Sequence, residues 1–239
     1  MTNKKDSEAA FLAAYDPSQW PGVSLAVDVV VLGVVSGKLC VSLVKRTEMP
    51  QEGFFALPGG FVRGAESLEE AVARVMAEKA GAENVYAEQM YTFADAGRDP
   101  RTRVVSVAYL ALLRGGLESP DVVLGQVKAT WAGEEGGGVS VEVGGAAVEL
   151  AFDHADIVGL ALKRLRGKLR YTPVAYELLG EEFTLRQLQE VHEAILGRPV
   201  DKNSFRRSSL ASADLVPMGR LEEDVPWRPA ELYTYAERE

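Results

Sequence analysis

The chain has 239 residues, more than the ~100–200 of one ordinary domain, with 47% hydrophobic and 26% charged residues. That mix supports a sizeable core and excludes a collagen, a coiled coil, a disulfide scaffold or a wholly disordered chain. Cys40 has no second cysteine, so neither an internal disulfide nor a cysteine-built zinc site is available. The formal charge is −9, and it is uneven: residues 1–155 carry thirteen cations against twenty-one acids, whereas residues 156–239 carry thirteen against fourteen. Residues 163–170 read KRLRGKLR, five cations in eight positions with no acid. Such a run is either a solvated helix face or a local basic surface that suits a nucleic acid. The polar start leads into no signal-peptide core. The longest apolar run, residues 23–35, is interrupted by Asp28 and is too short to span a bilayer. The expected location is the cytoplasm, with no membrane partner.

Residues 8–15 read as a short helix ended by Asp16-Pro17. Residues 23–44 are rich in Val and Leu in two runs split near Ser36-Gly37, the pattern of a hairpin. A turn-rich connection, Leu57-Pro58-Gly59-Gly60, precedes a helix over residues 67–80. That helix is marked by a Ser67/Glu70 capping box and a Gly81 stop. Residues 85–93 and 104–113 read as strands around a polar loop at 95–102. Residues 131–150, with glycine runs at 136–138 and 144–145, read as a glycine-bounded hairpin or mobile insertion. Asp153 reads as the N-cap of a helix over residues 154–166 or beyond. Residues 173–179 read as a further helix. Thr184 caps residues 185–196, and Asp201 caps residues 202–211. Two short strands, 214–218 and 230–235, close the chain. Two helices, a turn and two strands are the order of a winged helix-turn-helix, and the domain boundary falls at Ala151–Phe152.

Gly60, Glu66, Arg74, Met76, Glu78 and Gly81 stand at fixed spacings after Leu57-Pro58-Gly59. This segment resembles the Nudix box, in which a glycine, five residues, a glutamate and seven more residues lead into Arg-Glu-aliphatic-any-Glu-Glu-any-Gly. In active members of that family, glutamates of the box gather a divalent metal on a pyrophosphate and help to activate water. The matching positions here are Val75, Glu78 and Lys79, so one carboxylate is lost and another is replaced by a cation. The resemblance therefore implies a Nudix-like fold without catalysis, with no metal site and no required cofactor. Glu70, Arg74 and Glu78 are then read as an ion-pair ladder along one helix face. The pocket itself can remain. Gly59, Gly60, Phe61, Glu78 and Lys79 are its candidate lining. Arg46, Arg98 and Arg101 are its candidate anion contacts, because a guanidinium fork suits phosphate. Ordinary loop cations are the competing reading for each arginine.

The C-terminal third carries a second resemblance through Leu150-Ala151-Phe152-Asp153-His154, Phe183-Thr184-Leu185, Ile195-Leu196-Gly197, Asp201-Lys202, Phe205-Arg206-Arg207 and residues 228–233. It looks like the winged helix-turn-helix of the Nudix-related transcriptional regulators of NAD metabolism, the NrtR family. Leu185, Leu188, Val191 and Ile195 form an apolar stripe, with Phe205 and Leu210 expected to anchor the second helix. Lys202, Asn203, Arg206 and Arg207 are left outward for the major groove, and Arg170 and Arg228 are candidates for phosphate. His154 and His192 are expected to be structural.

The two resemblances together imply an α/β fold: residues 1–151 as a Nudix-like α/β/α sandwich with a mixed sheet, and residues 152–239 as the winged module. They imply a homodimeric repressor of NAD biosynthesis or salvage genes that binds double-stranded operator DNA and senses ADP-ribose or a related nucleotide. The helix starting at His154 would carry the signal. The alternatives are an active Nudix hydrolase of ADP-ribose, a regulator of sugar metabolism with the same architecture, and a scaffold that binds no DNA.

Overall fold

The computed structural model describes residues 11–19, 22–82, 87–117, 119–169, 172–212, 214–223, 225–226 and 228–236. Residues 11–14 are helical and residue 15 is not; residues 8–10 of the expected N-terminal helix lie outside the described residues. The first two strands, β1 (Ser24–Val35) and β2 (Lys38–Lys45), form an antiparallel hairpin around Ser36-Gly37. β3 (Phe55–Ala56) pairs with β2, and β4 (Gly59–Phe61) pairs with β1. Helix α1 (Leu68–Ala80) follows, with the Ser67/Glu70 capping box formed and Gly81 in the left-handed region at φ 62°. β5 (Ala87–Phe93) and β6 (Val104–Leu112) are antiparallel to each other, while β6 runs parallel to β1.

β7 (Val122–Ala129), β8 (Val139–Val143) and β9 (Ala146–Val148) extend the same sheet, which runs β5-β6-β1-β2-β7-β8-β9. Of the two readings of the glycine-rich segment, the hairpin is the one formed: β8 and β9 pair around Gly144-Gly145 at the sheet edge. β7 has no counterpart in the sequence reading. Close packing explains the glycine in it: a Cβ at Gly125 would meet Val141 Cγ1 at 2.3 Å.

β1 alternates between two faces, as strand periodicity requires. Val27, Val29 and Val31 pack against Ala71, Val72, Val75 and Met76 of α1. Val30 and Leu32 point the other way, into a core shared with helix α2 (His154–Lys168), helix α3 (Leu185–Leu196) and β10 (Phe183–Thr184). The result is a mixed sheet between helices. Helix α4 (Lys202–Leu210) packs on α3, and β11 (Leu215–Leu221) and β12 (Glu231–Tyr235) form the three-stranded sheet β10-β12-β11. Ile157, Leu162, Leu188 and Ile195 belong to the same apolar cluster as Val41 and Leu43 of the large sheet. The winged module therefore rests on the sheet instead of hanging from a linker.

Three expectations need correction. Asp153 stands at the N-cap of α2 as expected, but its side chain makes no capping hydrogen bond; its carboxylate is taken by Arg98, 55 positions away in sequence. The helix expected over residues 173–179 is only a 3₁₀ turn, Tyr176–Leu178. Leu210 does not anchor α4: it is 47% exposed, and Phe205 alone of the two packs inward, edge-on to His192 at 5.0 Å.

Candidate functional site

The segment from Gly59 to Gly81 is held by one bidentate pair. Arg74 donates from Nε and Nη2 to Glu66 Oε1 and Oε2 at 2.5 and 3.0 Å, and Nη2 also reaches Phe61 O at 2.9 Å. The Arg63 N–H adds a bond to Glu66 Oε2. These bonds hold the Glu66 carboxyl down at about 2, the Arg74 side chain being the largest cause. Glu78 is half exposed and faces Arg74 at 3.3 Å and Arg63 at 3.4 Å. Glu66, Arg74 and Glu78 are therefore an ion-pair ladder that fixes the loop against the helix, while Glu70 serves the cap. Val75 is fully buried, and its Cγ2 would lie 3.2 Å from any Cβ at Gly60. Lys79 points to solvent. Gly59 is required where it stands, because a Cβ there would come within 2.2 Å of Asp28 Oδ1.

The Nudix fold raises the question of a metal. A hard cation needs several oxygen ligands. No cluster of three His, Cys, Asp or Glu side chains arranged to hold a metal occurs among the described residues. Val75 and Lys79 offer no oxygen, and Glu78 faces two arginines. The side chains present do not fit a metal array.

Behind this loop lies a buried polar network. Asp28 on β1 accepts from Ser106 Oγ at 2.5 Å and from Arg98 Nη2 at 3.3 Å. Arg98 also donates from Nε and Nη2 to Asp153 at 2.8 and 2.7 Å. Its side chain is 5% exposed, so it is not the rim cation that the sequence suggested. His154 Nδ1 accepts from the Leu57 N–H at 2.9 Å, and its Nε2 lies 3.6 Å from Asp28 Oδ1. Burial pushes the imidazole pKa down more strongly than Asp28 raises it. His154 is thus a neutral structural acceptor, in line with the sequence reading.

Arg46 and Arg101 do reach the surface around the loop. Arg101 is fixed by Asp99, through Nε at 3.0 Å and Nη2 at 2.7 Å, and lies over the Phe61 ring at 5.4 Å. Arg46 donates to Pro50 O and Glu48 O. Both guanidiniums also face Phe152, at 4.8 Å for Arg46 and 5.8 Å for Arg101. Burial lowers the Arg46 pKa, and the neighbouring Arg101 charge lowers it further. An arginine pair beside exposed Phe61 and the Gly59-Gly60 backbone offers charge and fork geometry for an anion, and ring faces for a planar group. The sequence reading missed Phe152 as part of this cluster, since nothing local marks it.

In the winged module, α3 starts with a Thr184/Gln187 capping box and ends at Gly197 in the left-handed region. Asp201 caps α4 by accepting from the Ser204 N–H at 2.8 Å. Lys202, Asn203, Arg206 and Arg207 are all exposed on α4, as is Arg228 beyond β11. Arg170 lies outside the described residues. Arg166 of α2 ties the halves together. Its side chain donates to Ile195 O near the end of α3 and to Trp131 O beyond β7, both at 2.8 Å, and lies over the Trp131 ring at 4.5 Å.

This geometry defines a class: a Nudix-type sensing domain whose box side chains do not fit a metal array, packed on a winged helix with an exposed cationic second helix. Comparison with known proteins agrees. A model of the NUDIX domain matches residues 24–132, and a model of the NrtR DNA-binding winged helix domain matches residues 175–235. The ADPR responsive transcriptional repressor NtrR of Acinetobacter baylyi is 35% identical over 232 residues, 96% of this chain and 89% of its own. The crystal structure of Shewanella oneidensis NrtR with a 27mer DNA is similar at a TM-score of 0.70 and 33% identity, covering 89% of this chain and 93% of that one. The NUDIX domain of the same protein, solved with ADP ribose, is 32% identical at a TM-score of 0.51, covering 66% of this chain and 98% of that one. The chain belongs to the NrtR family of Nudix-related transcriptional regulators.

Proposed function

We propose that this protein is a homodimeric transcriptional repressor that binds double-stranded operator DNA through residues 152–239 and is controlled by ADP-ribose, or a close relative of it, bound to residues 1–151. The observation that carries this reading is the likeness over nearly the whole chain to a repressor described as ADPR responsive. The cluster of Arg46, Arg101 and exposed Phe61 supports it. That cluster offers what a nucleoside diphosphate needs: guanidiniums for phosphate and the Phe61 ring face for a base. Gly59 and Gly60 let the backbone approach closely.

Arg46 and Arg101, with Gly59, Gly60 and Phe61, are proposed as ligand contacts, and Glu78 and Lys79 as the solvent edge of the same pocket. Lys202, Asn203, Arg206 and Arg207 are proposed as the readers of the operator, with Arg170 and Arg228 on phosphate. The genes under control are proposed to be those of NAD synthesis or salvage, and the location to be the cytoplasm. The domain does not turn over its ligand on this reading, because Val75 and Lys79 supply no metal ligand, and the protein needs no cofactor.

Coupling requires that the ligand bind two arrangements of the halves unequally. α2 is the element suited to relay it. It is fifteen residues, roughly 22 Å long. It begins beside the arginine cluster and carries Arg166, which holds α3, in its last turn. The test is fluorescence anisotropy of the protein on DNA from its own and neighbouring promoters, titrated with ADP-ribose. Salt-sensitive binding to one fragment, reversed by ADP-ribose, is expected. Specific binding left untouched by ADP-ribose would move the effector to another nucleotide or a phosphorylated sugar. Absence of specific binding would overturn the repressor.

A further inference from the structure

Residues 150–154 carry the chain from the sheet into α2, and each is tied to the sensing half. Leu150 bridges Phe55, and the Ala151 N–H donates to Phe55 O at 2.8 Å. Asp153 holds Arg98, and His154 accepts from Leu57. The tie at Phe152 differs in kind. Its N–H donates to Gln51 Oε1 at 2.8 Å, its φ is 53°, and Gln51 has a φ of 61°. Both are side-chain-bearing residues in a region that L residues rarely occupy, a conformation that persists only where the surroundings impose it. What this conformation achieves is the placement of a half-buried ring under two guanidiniums, Arg46 at 4.8 Å and Arg101 at 5.8 Å.

Those two cations are not equally compensated. Arg101 is paired with Asp99, whereas among the described residues no carboxylate lies within ion-pair range of Arg46. Like charges gathered on one ring, with one of them lacking a direct ion pair and feeling Asp99 and Glu48 only at longer range, make an arrangement that an anion entering between them would relieve. The ring is what the cations would have to leave. Phe152 is also directly followed by Asp153 and His154, so a shift of its backbone reaches the first turn of α2 without an intermediary.

We propose that Phe152 is the positioning residue of the effector switch: the anionic group of the bound nucleotide takes Arg46 and Arg101 from the Phe152 ring, and the released residue resets the start of α2. This rests on the reading of the protein as a ligand-controlled repressor, and it assigns Phe152 to coupling and not to affinity. Without the ring the arginines are free to bind ligand, but binding no longer changes the backbone at 152.

The test uses the full-length chain and two variants. Phe152→Gly keeps a residue that tolerates positive φ and removes the ring. Gln51→Ala keeps the ring and releases the backbone. ADP-ribose affinity is measured by calorimetry, and the ADP-ribose needed for half-release of the operator by anisotropy, on the same preparations. Affinity within about threefold of wild type, with the half-release concentration raised roughly tenfold or more in either variant that retains operator binding, is the expected result. Unchanged release in both variants would overturn the proposal. So would a loss of affinity as large as the loss of release, which would make Phe152 a ligand contact only. If the wild-type chain neither binds ADP-ribose nor leaves the operator with it, the functional reading fails and the switch fails with it.

Discussion

Replacing Arg166 by alanine tests whether the two halves are fastened as the geometry indicates. The guanidinium makes two short hydrogen bonds to carbonyl oxygens, and its residue is 4% exposed. Ile195 O belongs to the last turn of α3, where carbonyls lack intrahelical partners, so no helix bond replaces the one that is lost. Hydrogen bonds from a charged donor are worth about 1.5–3 kcal/mol each. The stacking on Trp131 adds about 0.5–2 kcal/mol. Against these stands the desolvation of a buried cation, several kcal/mol, which the variant recovers. The expected net loss for Arg166→Ala is about 2–4 kcal/mol, read from urea unfolding followed by far-UV dichroism. Arg166→Met, which keeps most of the volume, should recover about 1 kcal/mol of that by filling the space. Because the same bonds couple α2 to α3, Arg166→Ala should also weaken the response of the operator complex to ADP-ribose. A loss below about 1 kcal/mol with an unchanged ligand response would show that the clasp carries neither stability nor signal.

The buried imidazole of His154 stays neutral in the fold, while the unfolded chain takes a proton near 6.5. Its contribution is therefore present above pH 6.5 and is lost as the pH falls below that value toward the depressed folded one. Thermal midpoints between pH 7 and 5 should fall less in His154→Gln than in wild type; burial of His192 has the same sign and leaves a residual slope. Glu66, held at about 2 against 4.5 unfolded, stabilises the chain above pH 4.5 and loses that contribution as the pH falls through 2. In an acid titration Glu66→Gln should be less stable at pH 6 and converge on wild type toward pH 2. Arg228→Ala, which removes a proposed phosphate contact, should lower the slope of log affinity for operator against log salt by about 0.9. Arg207→Ala, which removes a proposed base reader, should instead leave that slope nearly unchanged and relax the sequence preference; the reverse pattern would exchange the two roles.

Much of the fold is written in local chemistry. The Ser67/Glu70 box, the Gly81 stop and the Thr184 and Asp201 caps are decided by residues within four positions of one another, and all four form. The β1–β2 hairpin and the alternation on β1 are equally local. Asp153 holds the N-cap position but not the side-chain bond, for the opposite reason: a guanidinium from a distant loop offers two charged donors, and no sequence window contains both partners. The same pairing withdrew Arg98 from the pocket rim. The hairpin at the glycine-rich edge was one of two readings the sequence left open, because glycines at 136–138 and 144–145 also read as breakers; β7, which orders it by pairing with β8, was the strand that went unread. Leu210 looked like an anchor by type, yet α4 is short and buries no residue completely. For the pocket, Arg46 and Arg101 could be named from residue type and loop position. Phe152 could not, because its ring is brought under the arginines by a left-handed backbone whose N–H bonds Gln51, 101 positions away.

The central claim is that the Nudix-type half senses a nucleotide without consuming it and that the winged half answers. The most direct measurement is to titrate the operator complex with ADP-ribose in the presence of magnesium, follow the DNA by anisotropy, and recover the nucleotide for chromatography. The account predicts release of the operator with the ADP-ribose recovered intact. Accumulation of AMP and ribose 5-phosphate at an ordinary enzyme rate, or an operator complex indifferent to the nucleotide, would contradict it.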